Sequence, residues 1–252
     1  MSTLKITFDN SLLLNSAQLV NIGFTGTGSI LNSSGQALAM VDRGVINNKD
    51  FKGNWYSLSD LKDGVTTTGF SGRVHVCYGE GWVPLAPGYF PPPLVSSDVN
   101  FDVVHDKFEI TFDGSPTGCA DLTSIDFWAI PMNLISLNSG TQVSEVKGVH
   151  ASSSISDIYS ALEVLSNPVQ SSESAKSLYK DAVAAGMNPP TLNPVSAVLA
   201  TDSKFLRIVG PNTYPSFGDP AKKEMMGLPF TPYNTFEQYL DYLILTFGPT
   251  TA

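Results

Sequence analysis

The sequence contains few cysteines, few histidines and none of the short motifs that identify several common enzyme classes. Its two cysteines, Cys77 and Cys119, exclude a scaffold held together by many disulfides. Its three histidines, His75, His105 and His150, lack the spacing of metal ligands, and no acidic cluster resembles a calcium loop. The lack of a GxSxG motif, a P-loop and a dinucleotide fingerprint excludes the esterases, kinases and dehydrogenases that carry them.

Basic residues and long apolar runs are also scarce. Fourteen Lys and Arg stand against 23 Asp and Glu, for a net charge of −9, so a phosphate backbone would be repelled and we expect no nucleic-acid partner. A neutral polysaccharide is insensitive to this charge. No apolar run approaches the ~20 residues that cross a bilayer, so we expect no membrane partner. The first ten residues lack the basic and apolar regions of a signal peptide.

The remaining composition is typical of an ordered protein rich in strands and turns. Hydrophobic residues make up 42% of the chain and charged residues 15%, with 21 Gly and 17 Pro. Short stretches of β-branched and apolar residues, bounded by Asn, Gly, Ser or Asp, predict strands at 4–8, 17–26, 37–43 and 72–78.

The spacing of apolar residues changes at about residue 148. From there a 3.6-residue period predicts helices at 154–167, 171–186 and 234–247, with a strand returning at 205–210. We therefore divide the chain into a β-sandwich domain, residues 1–147, and an α-rich lobe, residues 148–252.

The stretch from Asp106 to Leu134 is predicted to be a β-hairpin that carries two acidic residues on its polar face. Phe108, Ile110 and Phe112 alternate with Glu109, Thr111 and Asp113, as in a strand with one buried face. Residues 114–118 have turn composition, and residues 122–130 are predicted to form the partner strand. Glu109 and Asp126 are then expected on neighbouring strands.

Two carboxyl groups across a groove are the groups that hydrolyse a glycosidic bond, one as a proton donor and the other ionised. The alternative is that Glu109 and Asp126 are ordinary solvated surface acids. In the Pro- and Gly-rich loop at 78–95, Trp82, Tyr89 and Phe90 either stack on sugar rings or cover one end of the sandwich.

Four other residues have two interpretations each. Arg73 either pairs with a groove carboxylate or with a surface acid. His105 either borders the groove or is a strand-edge histidine with no part in the site. Cys77 and Cys119 either form one disulfide or remain two isolated, buried thiols.

Three blocks of sequence resemble the bacterial β-1,3-glucanases of glycoside hydrolase family 64. The first contains Ser71-Gly72-Arg73, the second Glu109-Ile110-Thr111 and the third Thr123-Ser124-Ile125-Asp126-Phe127. They occur in the family's order, within FSGRVHVCYGEGWVPL (70–85), DVVHDKFEITFDG (102–114) and DLTSIDFWAIPMNL (121–134). The similarity extends to 56–65 upstream and 205–211 downstream.

The resemblance implies a thaumatin-like β-sandwich and a small α-rich lobe that enclose a wide groove. It implies an endo-acting, inverting β-1,3-glucanase with Glu109 as catalytic acid and Asp126 as catalytic base, and no metal or cofactor. Thr111 and Thr123 match positions that contact glucan. Asp113 stands where the family has Asn. The remaining expected substrate-binding residues are Trp82 and Arg73.

Two further function classes stay open. A non-catalytic thaumatin-like protein could bind β-1,3-glucan without cleaving it, and a structural extracellular protein would need neither carboxylate. Because family members are mostly exported, the resemblance implies secretion. We expect a monomer. Family members usually continue beyond the helix predicted at 234–247, and if strands of the sandwich are missing here, the exposed sheet edge would favour a dimer.

Overall fold

The computed structural model describes residues 2–9, 19–45, 50–93, 95, 97–115, 118–122, 126–138, 140–146, 197–199 and 205–209. Within these ranges the regular structure consists mainly of strands. They are β1 (Leu4–Ile6), β2 (Val20–Leu31), β3 (Tyr56–Ser57), β4 (Val65–Tyr78), β5 (Val104–Phe112), β6 (Gly118–Asp121), β7 (Phe127–Trp128), β8 (Leu134–Asn138), β9 (Thr141–Val146), β10 (Ala197–Leu199) and β11 (Phe205–Val209). No helix in these ranges is long and apolar enough to cross a bilayer.

A six-stranded antiparallel sheet forms the main layer. Its strand order is β3-β2-β4-β5-β6, and β1 pairs with the start of β4. The register places Thr25 beside Arg73, Arg73 beside Glu109, and Glu109 beside Asp121. Four neighbouring strands therefore present these side chains in one row across the sheet.

One face of this sheet is covered by the main hydrophobic core. The central strands β2, β4 and β5 direct every second side chain into it, as their period-2 patterns predict. Ala129 and Ile130, after β7, pack into the same core, and Phe127 of β7 connects this core with the aromatic rings over the opposite face. The members from the central strands are Val20, Ile22, Phe24, Phe70, Val74, Val76, Phe108, Ile110 and Phe112.

The opposite face is covered at one end only. A second cluster of Val41, Cys77 and Trp82 packs there, with Trp55 and Phe90 partly buried against it. A side chain at Gly23, in β2, would collide with Val41 and Trp55, so glycine at this position lets the cover approach the strand. The other end of this face remains exposed.

Two strand predictions were wrong. Residues 37–43 do not form a strand. Ala37 makes an isolated bridge to Leu31, and Leu38 N and Val41 N donate to the backbone of β2, but the two residues between them bond to side chains. The Tyr56 hydroxyl accepts a hydrogen bond from Ala39 N at 2.7 Å, and Asn54 Nδ2 donates to Met40 O at 2.8 Å.

The predicted partner strand of the hairpin was also wrong, because β5 pairs with β6, and the residues of 122–130 that the structure describes do not pair with it. Glu109 therefore faces Asp121 across the hairpin. Asp126 precedes β7, which pairs with β11 in a separate three-stranded sheet. The carboxylate of Asp106 accepts the backbone N–H groups of Ala129 and Ile130, so these donors do not bond to a β5 backbone.

The predicted strand at 205–210 is confirmed as β11. The three predicted helices lie outside the described residues, so the structure does not support an α-rich lobe. The domain boundary after residue 147 stays a prediction, and the β10-β11-β7 sheet pairs strands from both sides of it. Cys77 and Cys119 are free thiols, so the disulfide alternative was wrong; Cys77 is buried as expected, but Cys119 is exposed.

Candidate active site

The candidate site lies on the half-covered face of the six-stranded sheet. On β5 this face carries His105, Lys107, Glu109 and Thr111 at successive alternate positions. His105 and Lys107 are fully buried, Glu109 is half-buried, and Thr111 is exposed. The strand therefore passes from beneath the aromatic cover to an open polar surface.

Glu109 lies where the cover ends and is held by Arg73 on the next strand. Arg73 Nε donates to Glu109 Oε1 at 2.8 Å, and the two side chains are 42% and 40% exposed. The Arg73 guanidinium also lies 6.0 Å from the centre of the Phe90 ring. Arg73 therefore pairs with the carboxylate that was predicted to be catalytic, and whether that carboxylate serves a groove or an ordinary surface stays a prediction. Asp121 occupies the position opposite Glu109 on its other side.

Asp126 reaches the same face from the segment before β7. Lys107 Nζ donates to Asp126 Oδ2 at 2.8 Å, with side-chain exposures of 0% and 25% respectively. Lys107 precedes Glu109 by two residues, so both predicted catalytic carboxylates contact cations on one face of the sheet. They lie on the same face of the sheet without being on adjacent strands.

The residues that were predicted to bind substrate do not all lie on the open surface of the site. Thr111 is exposed, and its hydroxyl lies 3.1 Å from that of Ser71. Asp113 follows β5 and accepts a hydrogen bond from Ser115 N at 2.9 Å; hydrogen bonds from Ser115 lower the pKa of Asp113. This contact gives Asp113 a turn-forming role. Thr123 lies outside the described residues.

The prediction that Trp82 stacks on sugar was wrong, since its side chain is fully buried. Its ring packs edge-on against His75 and His105, with centroid distances of 4.7 and 5.1 Å. The alternative interpretation, that the loop aromatics cover the sandwich, therefore holds for Trp82. Phe90 is half-buried in the same cluster and borders the Arg73–Glu109 pair.

The two buried histidines are neutral components of this cover. Burial lowers the pKa of His105 to about 3, and burial together with nearby cations lowers that of His75 well below its ordinary value. His75 Nε2 bonds to the Thr25 hydroxyl at 2.7 Å, and His105 Nδ1 lies 3.0 Å from Val103 O. His105 thus lies beneath the site and does not border the open surface.

Two residues that bear on the site were missed by the sequence predictions. The alternation along β5 places Lys107 on the same face as Glu109. The sequence therefore showed its position, but a lysine is normally expected at the surface and not buried. Asp106, on the core face, accepts N–H groups from Lys107, Ala129 and Ile130 at 2.8, 2.8 and 3.0 Å. No sequence pattern indicated either contact. In the described part of the chain, no group of three or more metal-ligating side chains could hold a metal ion.

The comparisons with known proteins that gave matches are those with solved structures. No family model matches the chain, and no curated protein matches it. Two crystal structures of a family 64 laminaripentaose-producing β-1,3-glucanase from Paenibacillus barengoltzii, one complexed with laminarihexaose, match with a TM-score of 0.53 and 18% identity. Each match covers 88% of this chain and 51% of the other, so this chain spans about half the length of those structures. The resemblance seen in the sequence is thereby confirmed in structure: this protein is similar in fold to the β-1,3-glucanases of glycoside hydrolase family 64.

Proposed function

We propose that this protein is an endo-acting hydrolase of β-1,3-glucan, with Glu109 as general acid, Asp126 as general base and inversion at the anomeric carbon. The observation that carries the proposal is the fold that the chain shares with two structures of a β-1,3-glucanase, one of them holding laminarihexaose. At 18% identity that likeness concerns the fold, so the residue roles are argued from the site itself.

The chemistry of the open face suits a neutral sugar. Glu109 is accessible, Asp121 lies opposite it on β6, and the hydroxyls of Ser71 and Thr111 continue the polar surface. Carboxylates accept hydrogen bonds from sugar hydroxyl groups, and protein hydroxyls both accept and donate them. Phe90, half-buried beside Arg73, offers an apolar edge against which a sugar ring can pack.

The arrangement of the carboxylates supports inversion over retention. Inverting enzymes separate their two carboxyl groups by ~6.5–9.5 Å to admit a water, against ~5–5.5 Å in retaining enzymes. Asp126 contacts Lys107, and Glu109 lies two residues further along β5. The two contacts are thus made from alternate positions of one strand, whose backbones are about 6.6 Å apart, and we propose that the two carboxyl groups have the wider separation.

Arg73 imposes a requirement on this mechanism. A general acid must carry a proton, whereas a guanidinium in contact with a carboxylate favours its charged form. The proposed reaction therefore requires that glucan draws Arg73 away from Glu109. Because the pair is about 40% exposed, a sugar hydroxyl can reach either partner.

A non-catalytic glucan-binding protein is the second candidate. The observation that favours it is that both predicted catalytic carboxylates contact a cation, Glu109 with Arg73 and Asp126 with Lys107. A binder can retain such neutralised pairs as hydrogen-bonding groups, without any need for a protonated acid.

One experiment separates the two candidates: proton NMR of laminarin during incubation with the protein. We expect new reducing ends that appear first as the α-anomer, and a loss of at least about 10²-fold in rate for Glu109→Gln, because general acid catalysis contributes roughly 10²–10⁴-fold. Glu80→Gln, at an exposed turn of the same chain, is the matched control and should keep the wild-type rate.

Each contrary outcome is specific. A first product with the β-anomer refutes inversion, and a Glu109→Gln variant with more than a tenth of the wild-type rate removes Glu109 from the acid role. Retention on insoluble β-1,3-glucan without sugar release identifies a binder. We further propose export and a monomeric state on the family resemblance; a dimeric mass in light scattering would contradict the second.

A further inference from the structure

Lys107 is the most unusual charged group near the candidate site. Its side chain is fully buried, with the ammonium 5.5 Å from the centre of the Phe90 ring and 5.0 Å from that of Phe127. A buried ammonium is costly unless it is paired and hydrogen-bonded. Asp126, which it contacts at 2.8 Å, keeps a quarter of its side chain exposed. The cation is therefore enclosed while its carboxylate partner reaches the surface.

We propose that Lys107 is the positioning residue for Asp126, fixing the orientation of this carboxylate and favouring its charged form without contacting glucan. The inference rests on the proposed hydrolysis, in which Asp126 is the general base. A base must be ionised and directed at the attacking water, and an ammonium in contact favours the ionised carboxylate. The Phe90 and Phe127 rings enclose the Lys107 ammonium, so its position is restricted and the carboxylate it holds is restricted with it.

The other charged groups around Lys107 have partners or roles of their own. His75 faces Lys107 from β4, and His105 precedes it on β5; both are held neutral by burial. Arg73 bonds to Glu109. Arg207, from β11, donates to the carbonyls of Pro93, Phe101 and Val103. Asp106 lies on the opposite face of β5 and accepts three backbone N–H groups, and the charge of Lys107 opposes the rise in its pKa. Asp102 and Asp106 act electrostatically on Arg207.

The first test compares Lys107→Met and Lys107→Gln in laminarin hydrolysis across pH. We expect Lys107→Met to lower kcat by roughly 10–100-fold, the scale of a misplaced catalytic group, with KM within about twofold because Lys107 is buried away from substrate. The fall of activity on the acid side should move to higher pH. Lys107→Gln keeps a hydrogen-bond donor but no charge, so its kcat should be intermediate while its acid-side fall moves equally far.

Lys62→Met is the matched control, since it removes one positive charge from an exposed turn and should leave kcat and the pH profile unchanged. A Lys107→Met variant that keeps wild-type kcat, or loses activity without any movement of the acid-side fall, overturns the inference. Failure of both Lys107 variants to fold at pH 6 overturns it as well, because Lys107 would then serve the fold alone.

A second measurement does not depend on activity. The carboxyl carbon of Asp126, assigned by its disappearance in Asp126→Asn, is titrated by ¹³C NMR in wild type and in Lys107→Met. We expect a higher titration midpoint in the variant. If the midpoint moves but wild type releases no sugar, the proposed hydrolysis fails while control of Asp126 by Lys107 stands. If wild type is active and the midpoint does not move, the present inference alone fails.

Discussion

Adjacent residues of β5 have unrelated roles because their side chains point to opposite faces of the sheet. Ile110 is 5% exposed and lies in the main core, whereas the neighbouring Thr111 is exposed and its hydroxyl meets that of Ser71. Burial of an aliphatic side chain contributes to stability, and an accessible hydroxyl is available to a ligand. At this end of β5, the face on which a side chain lies therefore decides between stability and binding.

The first residue-scale prediction compares these two neighbours. Ile110→Ala should lower the free energy of unfolding by about 2–5 kcal/mol, through lost burial and the cavity left in the core. Thr111→Ala should change it by less than about 0.5 kcal/mol, as expected for an exposed site, and should raise KM for laminarin. Urea unfolding and steady-state kinetics measure both effects. Equal destabilisation by the two changes would show that the face assignment is wrong.

At the scale of elements, Asp106 holds the segment that carries Asp126. Its carboxylate is 2% exposed and accepts three backbone N–H groups, two of which belong to Ala129 and Ile130 after β7. Burial raises the pKa of Asp106 to about 6, against the effect of these hydrogen bonds. Asp106 and Lys107 thus hold the two ends of 126–130, one from each face of β5.

Asp106→Asn tests this attachment. An amide presents one oxygen and one NH₂ group in place of two oxygens, so at least one buried N–H donor loses its acceptor, at about 1–3 kcal/mol for each donor. Urea unfolding at pH 7 should show that loss, and laminarin hydrolysis should fall further than stability explains, because Asp126 is displaced. Asp63→Asn, in an exposed turn, is the control and should be within about 0.5 kcal/mol of wild type. Unchanged stability in Asp106→Asn would contradict the proposed attachment.

The sequence predicted the elements whose partners are other strands and missed those whose partners are side chains. Period-2 alternation located β5, and the β-branched and apolar composition of 72–78 located the end of β4, because such strands bury one face against a continuous core. The same reasoning assigned residues 122–130 to the hairpin, since no local pattern shows that the donors of Ala129 and Ile130 bond to Asp106.

The sequence predicted the carboxylates of the candidate site but not the packing around them. Resemblance indicated Glu109 and Asp126, and the alternation on β5 placed Glu109 on an accessible face. Trp82 was predicted to stack on sugar rings because its loop is rich in Pro and Gly, yet its side chain is buried. Only the three-dimensional packing shows that the aromatic cluster encloses Lys107.

At the scale of the whole molecule, the cover over the half-buried face joins several distant segments. Trp82 and Phe90 come from the loop after β4, His75 and His105 from the two central strands, and Phe127 from β7. The rings pack mostly edge-on, with centroid distances of 4.7–6.1 Å. Protonation of His75 or His105 would therefore place a charge against rings from several segments of the chain and not against one strand alone.

The last prediction is that the protein loses stability as the pH falls from about 6 to about 4, before most carboxylates are protonated. In the unfolded chain both histidines take up a proton near pH 6.5, whereas burial keeps His105 neutral in the folded state down to about pH 3, and burial and nearby cations keep His75 neutral well below its ordinary pKa. Their contribution to stability is full above pH 6.5 and is lost towards pH 3.

Asp106, with its pKa raised to about 6, acts in the opposite direction, since the folded state gains its proton first. Two protons favour unfolding and one favours folding, so the free energy of unfolding should fall as the pH falls through this range. Urea unfolding at successive pH values measures this slope, and His105→Asn, which removes one titrating ring, should make the slope shallower whatever its effect on stability at pH 7. A slope that is the same in wild type and in His105→Asn would show that His105 does not resist protonation in the folded protein.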